Sequence, residues 1–166
     1  MDVDQLIADL KSSDAAKRAA AAEQLSHLES DAQGAAIALA QAVADADESV
    51  RQWATSALES LGSPADNDVG QLAKLLSDPR LDVAYWSATL LGRLGSAAAS
   101  TVPQLTSALK THAEIAVRQR AAWALGAIGP DASAALDAPF DGRPRLPFQL
   151  AHFILRGARF GLSLAR

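Results

Sequence analysis

Val-Arg-Gln-Trp-Ala-Thr-Ser-Ala-Leu-Glu-Ser-Leu-Gly, residues 50–62, decides the reading of this chain because the chain repeats it. Residues 83–95 read Val-Ala-Tyr-Trp-Ser-Ala-Thr-Leu-Leu-Gly-Arg-Leu-Gly, and residues 117–129 read Val-Arg-Gln-Arg-Ala-Ala-Trp-Ala-Leu-Gly-Ala-Ile-Gly. The steps are 33 and 34 residues, and a fainter copy running from Lys17-Arg18 to Leu25 and Leu28 lies 33 residues before the first. Self-similarity at this period marks stacked supersecondary units, each too small to bury its apolar face alone.

Within the stretch, Val50, Trp53, Ala54, Ala57, Leu58 and Leu61 recur at helical spacing and form a stripe broad enough to pack on two neighbours. Asp47 is placed to cap the helix, and Gly62 to end it in the left-handed conformation that glycine tolerates. Working outward, each such helix is preceded by another. Val3 to Leu10 leads the helix Ala15 to Leu28, with Asp14 as its cap. Asp31 to Val43 leads the quoted stretch. Asp66 to Ser77 leads Leu81 to Leu94, with Pro79 read as the first helical residue. Residues 97–110, with Pro103 in the first turn, lead Glu114 to Ile128. A fifth leading helix begins at Asp131 to Leu136 and then fails at Pro139, Asp141-Gly142, Pro144 and Pro147. No strand period survives, so the fold expected is all-α, a solenoid of four helical hairpins with an irregular C-terminal tail. The units are about 2–29, 31–62, 66–95 and 97–129, with a partial fifth from 131; together they form one repeat domain over 1–137.

Composition narrows the chemistry. The chain has no cysteine, which excludes disulfides, thiolate metal sites and cysteine nucleophiles. Residues 1–137 carry a net charge of −8 and residues 138–166 carry +4. An acidic body argues against nucleic acid as partner, since phosphate neutralisation by Lys and Arg supplies most of that affinity. The start shows no signal-peptide pattern and no apolar run is long enough to span a bilayer, so a cytoplasmic protein is expected. His27, His112 and His152 lack metal-ligand spacing, no phosphate-binding loop follows a strand, and no Gly-x-Ser-x-Gly elbow occurs. No cofactor, metal site or catalytic residue is expected, and the residues favour binding over catalysis.

The closing Leu-Gly-x-Leu/Ile-Gly of each motif helix, the Asp before it, the Val-Arg at its start and the Ala-Ala inside it resemble the HEAT-repeat family, in its short bilin-lyase-like form. That resemblance covers roughly residues 3–137. It implies an α-solenoid with the motif helices lining a concave face. It also implies that an Asp in the turn and the Arg after Val link consecutive units, roles that fall on Asp14 and Arg18, on Asp47 and Arg51, and on Arg118. The third unit departs from the pattern, with Ala84 where the Arg stands and Arg80 at the Asp position.

Registering the repeats places Gln52, Tyr85 and Gln119 in one row and Ser56, Thr89 and Trp123 in the next. Aromatics flanked by amides and hydroxyls suit a binding surface, giving apolar area with a polar handle. Gln52, Tyr85, Thr89, Gln119 and Trp123 are therefore the candidate contacts for a peptide or protein partner. The alternative for Trp123 is that it covers the seam between repeats, and Trp53 and Trp86 are read as core. The function expected is a protein-interaction scaffold; the alternative is a bilin-lyase-like subunit acting on chromophore-bearing proteins. The tail, 138–166, holds five Arg and all four Phe. Three readings stand for it: a cap helix on the last repeat, a segment binding a partner or an anionic membrane, or unselected sequence.

Overall fold

The computed structural model of the protein describes residues 2–132. The expectations for the tail and for most of the partial fifth unit lie outside the described residues. Among the described residues there are eight α-helices and no strand: α1 (Val3–Asp9), α2 (Ala15–Ser26), α3 (Ala36–Ala42), α4 (Glu48–Ser60), α5 (Val69–Leu75), α6 (Leu81–Arg93), α7 (Val102–Thr111) and α8 (Ile115–Ile128). They pair in order as four hairpins, α1/α2, α3/α4, α5/α6 and α7/α8.

The leading helices are shorter than the periodicity predicts because three of them begin as 3₁₀ turns, over Glu29–Ala35, Asp66–Asp68 and Gly95–Thr101. None of these entries has a side-chain cap for its free N–H groups. Tightening to 3₁₀ bonding is the remaining way to satisfy them within the chain. Pro79 is not the first helical residue; it lies in the turn, and α6 starts at Leu81 after Arg80. The caps read from sequence do form. Asp14 accepts from the Ala16 N–H, and Asp47 accepts from the N–H groups of Ser49 and Val50.

The motif helices end alike. Gly62, Gly95 and Gly129 have φ of 75°, 56° and 87°. Glu29, at the same register position in the first unit, is held at φ 48°, where an L side chain is strained.

One contiguous core runs through the hairpins, built on Leu25, Leu39, Leu58, Leu72, Leu90, Leu105 and Leu125, all fully buried. Alanine between these leucines lets helices approach closely. The stacking is uneven, however. Helix α2 packs closely on α4, and α6 on α8, whereas α4 and α6 touch at most marginally and unit two reaches α6 mainly through α3. A gap in the motif-helix layer therefore opens between units two and three.

Candidate functional site

Arg18, Arg51 and Arg118 share one local task, and Arg18 alone of the three also makes an ion pair between units. Arg18 donates to the carbonyls of Ser12 and Ser13, Arg51 to those of Asp45 and Ala46, and Arg118 to those of His112 and Ala113. Each guanidinium thus staples the turn that precedes its own helix. Neither Asp14 with Arg18 nor Asp47 with Arg51 forms a salt bridge, and both aspartates serve as N-caps. A link between units does exist, from Arg18 to Asp45: Nε and Nη2 donate to the two carboxylate oxygens at 2.8 and 2.7 Å. This bidentate contact holds Asp45 below the ordinary carboxylate range, against a smaller opposing effect of burial.

One repeat later, the register-equivalent rung would join Arg51 to Asp78. Arg80 takes that carboxylate instead, with bonds of 2.9 and 2.8 Å from Nε and Nη2. Units two and three are tied at the opposite helix ends. Arg93 Nη1 donates to the carbonyls of Leu58 and Gly62 at 2.6 and 3.0 Å, and Ser63 Oγ donates to the Arg93 carbonyl. A cation meeting free carbonyls at a helix C-terminus is favourably placed.

Between the missing rung and this tie lies a cleft of about 920 Å³. Helix α4 contributes Arg51, Gln52, Thr55, Ser56 and Glu59; α6 contributes Asp82, Tyr85, Trp86, Thr89 and Arg93; α8 contributes Arg120 and Trp123. Arg120 organises its far wall. Its guanidinium stands 4.7 Å from the centre of the Tyr85 ring and 5.1 Å from that of Trp123, and its Nη2 donates to the Tyr85 hydroxyl. Arg93 stands 5.6 Å over Trp86. Stacking on aromatic faces holds both cations with little rotamer freedom. Burial, and then the charge of Arg120, lower the proton affinity of Arg93, while Glu59 acts in the opposite sense.

Of the candidate contacts, Gln52, Tyr85, Thr89 and Trp123 line this cleft, and Gln119 does not. Gln52 is exposed, with its amide donating to Glu48. Thr89 is buried rather than on the solvent side, and its hydroxyl donates to the Tyr85 carbonyl at 2.9 Å. Trp123 is half-buried and packs on Gly92 of α6, so it covers a repeat seam while also lining the cleft. Trp53 and Trp86 are half-buried against the core, not enclosed by it. Arg93 and Arg120 were not among the residues singled out by sequence. The signal for Arg120 was its register position, which holds Trp53 and Trp86 in the two preceding units.

Among the described residues no helix is long and apolar enough to cross a membrane. Residues 69–138 match the sequence family described as HEAT repeats. A search of curated proteins finds no match. Among solved structures, an engineered protein from the Northeast Structural Genomics Consortium is 25% identical, with a TM-score of 0.52 over 81% of this chain and 67% of its own. A second engineered protein from the same source is 23% identical with a TM-score of 0.52, over 95% of this chain and 70% of its own. A designed armadillo repeat protein, solved in complex with the peptide (KR)4, is 18% identical with a TM-score of 0.58, over 95% of this chain and 80% of its own. The last two likenesses speak for the fold alone. The HEAT-repeat match thus covers residues 69–138, and the four successive hairpins make the described chain an α-solenoid.

Proposed function

We propose that the protein is a non-enzymatic interaction module that holds a peptide segment of a partner protein in the cleft between units two and three. The observation that carries this reading is the wall made by Tyr85, Arg120 and Trp123, with Trp86 and Arg93 beside it. Aromatic and arginine side chains already stacked on one another lose little freedom when a partner arrives, and these residue types dominate binding energy at interfaces. Gln52 and Ser56 offer polar groups along the opposite wall. The repeat fold supports the reading, and one structural neighbour of that fold holds a peptide.

The test is capture of partners from the native extract. The wild-type chain is expected to retain a protein that Tyr85→Ala loses, with the melting temperature of the variant little changed. Gln119→Ala, outside the cleft, should capture as wild type does. Equal capture by wild type and Tyr85→Ala would refute the assignment to this cleft.

A further inference from the structure

We infer that the occupant of the cleft is an acidic peptide segment, one carboxylate of which seats against the guanidiniums of Arg93 and Arg120. This rests on the cleft being the binding surface and adds the chemistry of what it binds. Three salt bridges form among the described residues, Lys17 with Asp9, Arg18 with Asp45 and Arg80 with Asp78, and neither Arg93 nor Arg120 takes part in one. Arg93 spends one nitrogen on helix-end carbonyls and Arg120 spends one on the Tyr85 hydroxyl. A guanidinium has five N–H donors in a fixed fork that matches a carboxylate, so both retain donors for a ligand.

The two cations also feel each other, since the charge of Arg120 reaches Arg93. Like charges held together in a partly desolvated cleft raise the potential there, and an arriving anion relieves that repulsion. In a body of net charge −8 this is a local reversal of sign. Glu59 and Asp82 also line the cleft, both exposed and neither ion-paired with its arginines. They oppose an acidic occupant and set the strength of its binding. A basic peptide would instead seek these two carboxylates and meet the arginines as obstacles.

The test titrates the full chain, followed by the fluorescence of its tryptophans, with an end-blocked alternating Glu/Ala peptide and with its Lys/Ala counterpart. The Glu peptide is expected to bind, more weakly as salt rises, and the Lys peptide is not. Arg120→Gln should weaken Glu-peptide binding about tenfold, the loss of one charge-assisted contact. Glu59→Gln should strengthen it severalfold, a gain that misfolding cannot produce. Preference for the Lys peptide, Glu-peptide binding indifferent to both substitutions, or no binding of the Glu peptide would each overturn the inference. If partner capture still depends on Tyr85 in that event, the cleft remains the interaction surface and only its charge preference falls.

Discussion

Gly92 of α6 and Trp123 of α8 share one space: a Cβ built on Gly92 would fall inside the van der Waals shell of the indole and 3.0 Å from the Ala124 Cα. The indole therefore lies where a side chain on α6 would otherwise stand, and the close approach of α6 and α8 depends on its absence. Gly92→Ala is expected to cost about 1–3 kcal/mol through overpacking, even though alanine is the better helix former. Denaturant unfolding measures the loss, and a shift in tryptophan emission would accompany it.

Glu29 gives the opposite case. It occupies the left-handed cap position that glycine holds in the other three units, and its side chain is exposed. Glu29→Gly should stabilise the protein by about 1 kcal/mol, the order of the strain relieved less the entropy that glycine adds to the unfolded chain. The midpoint of urea unfolding should rise with no change in slope.

Two carboxylates make stability depend on pH with opposite signs. Asp45 is lowered by Arg18, so its contribution is fully present above the ordinary value of 3.8 and is lost as pH falls through the lower folded value. Asp68 is raised by burial, and its Oδ2 has no hydrogen-bond partner. The unfolded chain ionises this group first, so stability falls as pH rises from about 3.8 through the raised folded value. Asp45→Asn should cost about 1 kcal/mol at pH 7 and flatten the acid limb. Asp68→Asn should increase stability at pH 7 and leave it unchanged well below 3.8. Melting curves across pH 2–7 separate the two.

Arg80 intercepts the carboxylate that the repeat register offers to Arg51. In the native background, Arg51→Ala and Asp78→Ala should therefore be additive. With Arg80→Ala present, a coupling of about 0.5 kcal/mol should appear between them. Additivity in both backgrounds would show that the rung cannot form.

The repeats made the fold legible. Period, stripe and glycine stops gave the hairpins and the caps at Asp14 and Asp47, because each is a local property repeated in register. The 3₁₀ entries were not legible, since a missing cap has no positive signal in a run such as Ser-Ala-Ala-Ala-Ser. At the cleft, Tyr85 and Trp123 were legible as aromatics in a polar row. The burial of Thr89 was not, because the row that faces outward on an isolated helix turns inward where α6 meets its neighbours. The placement of Arg120 on the Tyr85 ring depends on α6 and α8 being close, which spacing along one helix cannot show. The same holds for Arg18, whose partner lies 27 residues away.

A stack clasped along one border opens like a book about its spine. Arg93 and Ser63 form that spine between units two and three, while the facing border has no clasp. Across that junction the core continues through α3 against α6, while α4 and α6 stay apart. If an occupant widens the open side, the distance between α2 and α8 should change, which paired labels on those two helices would read.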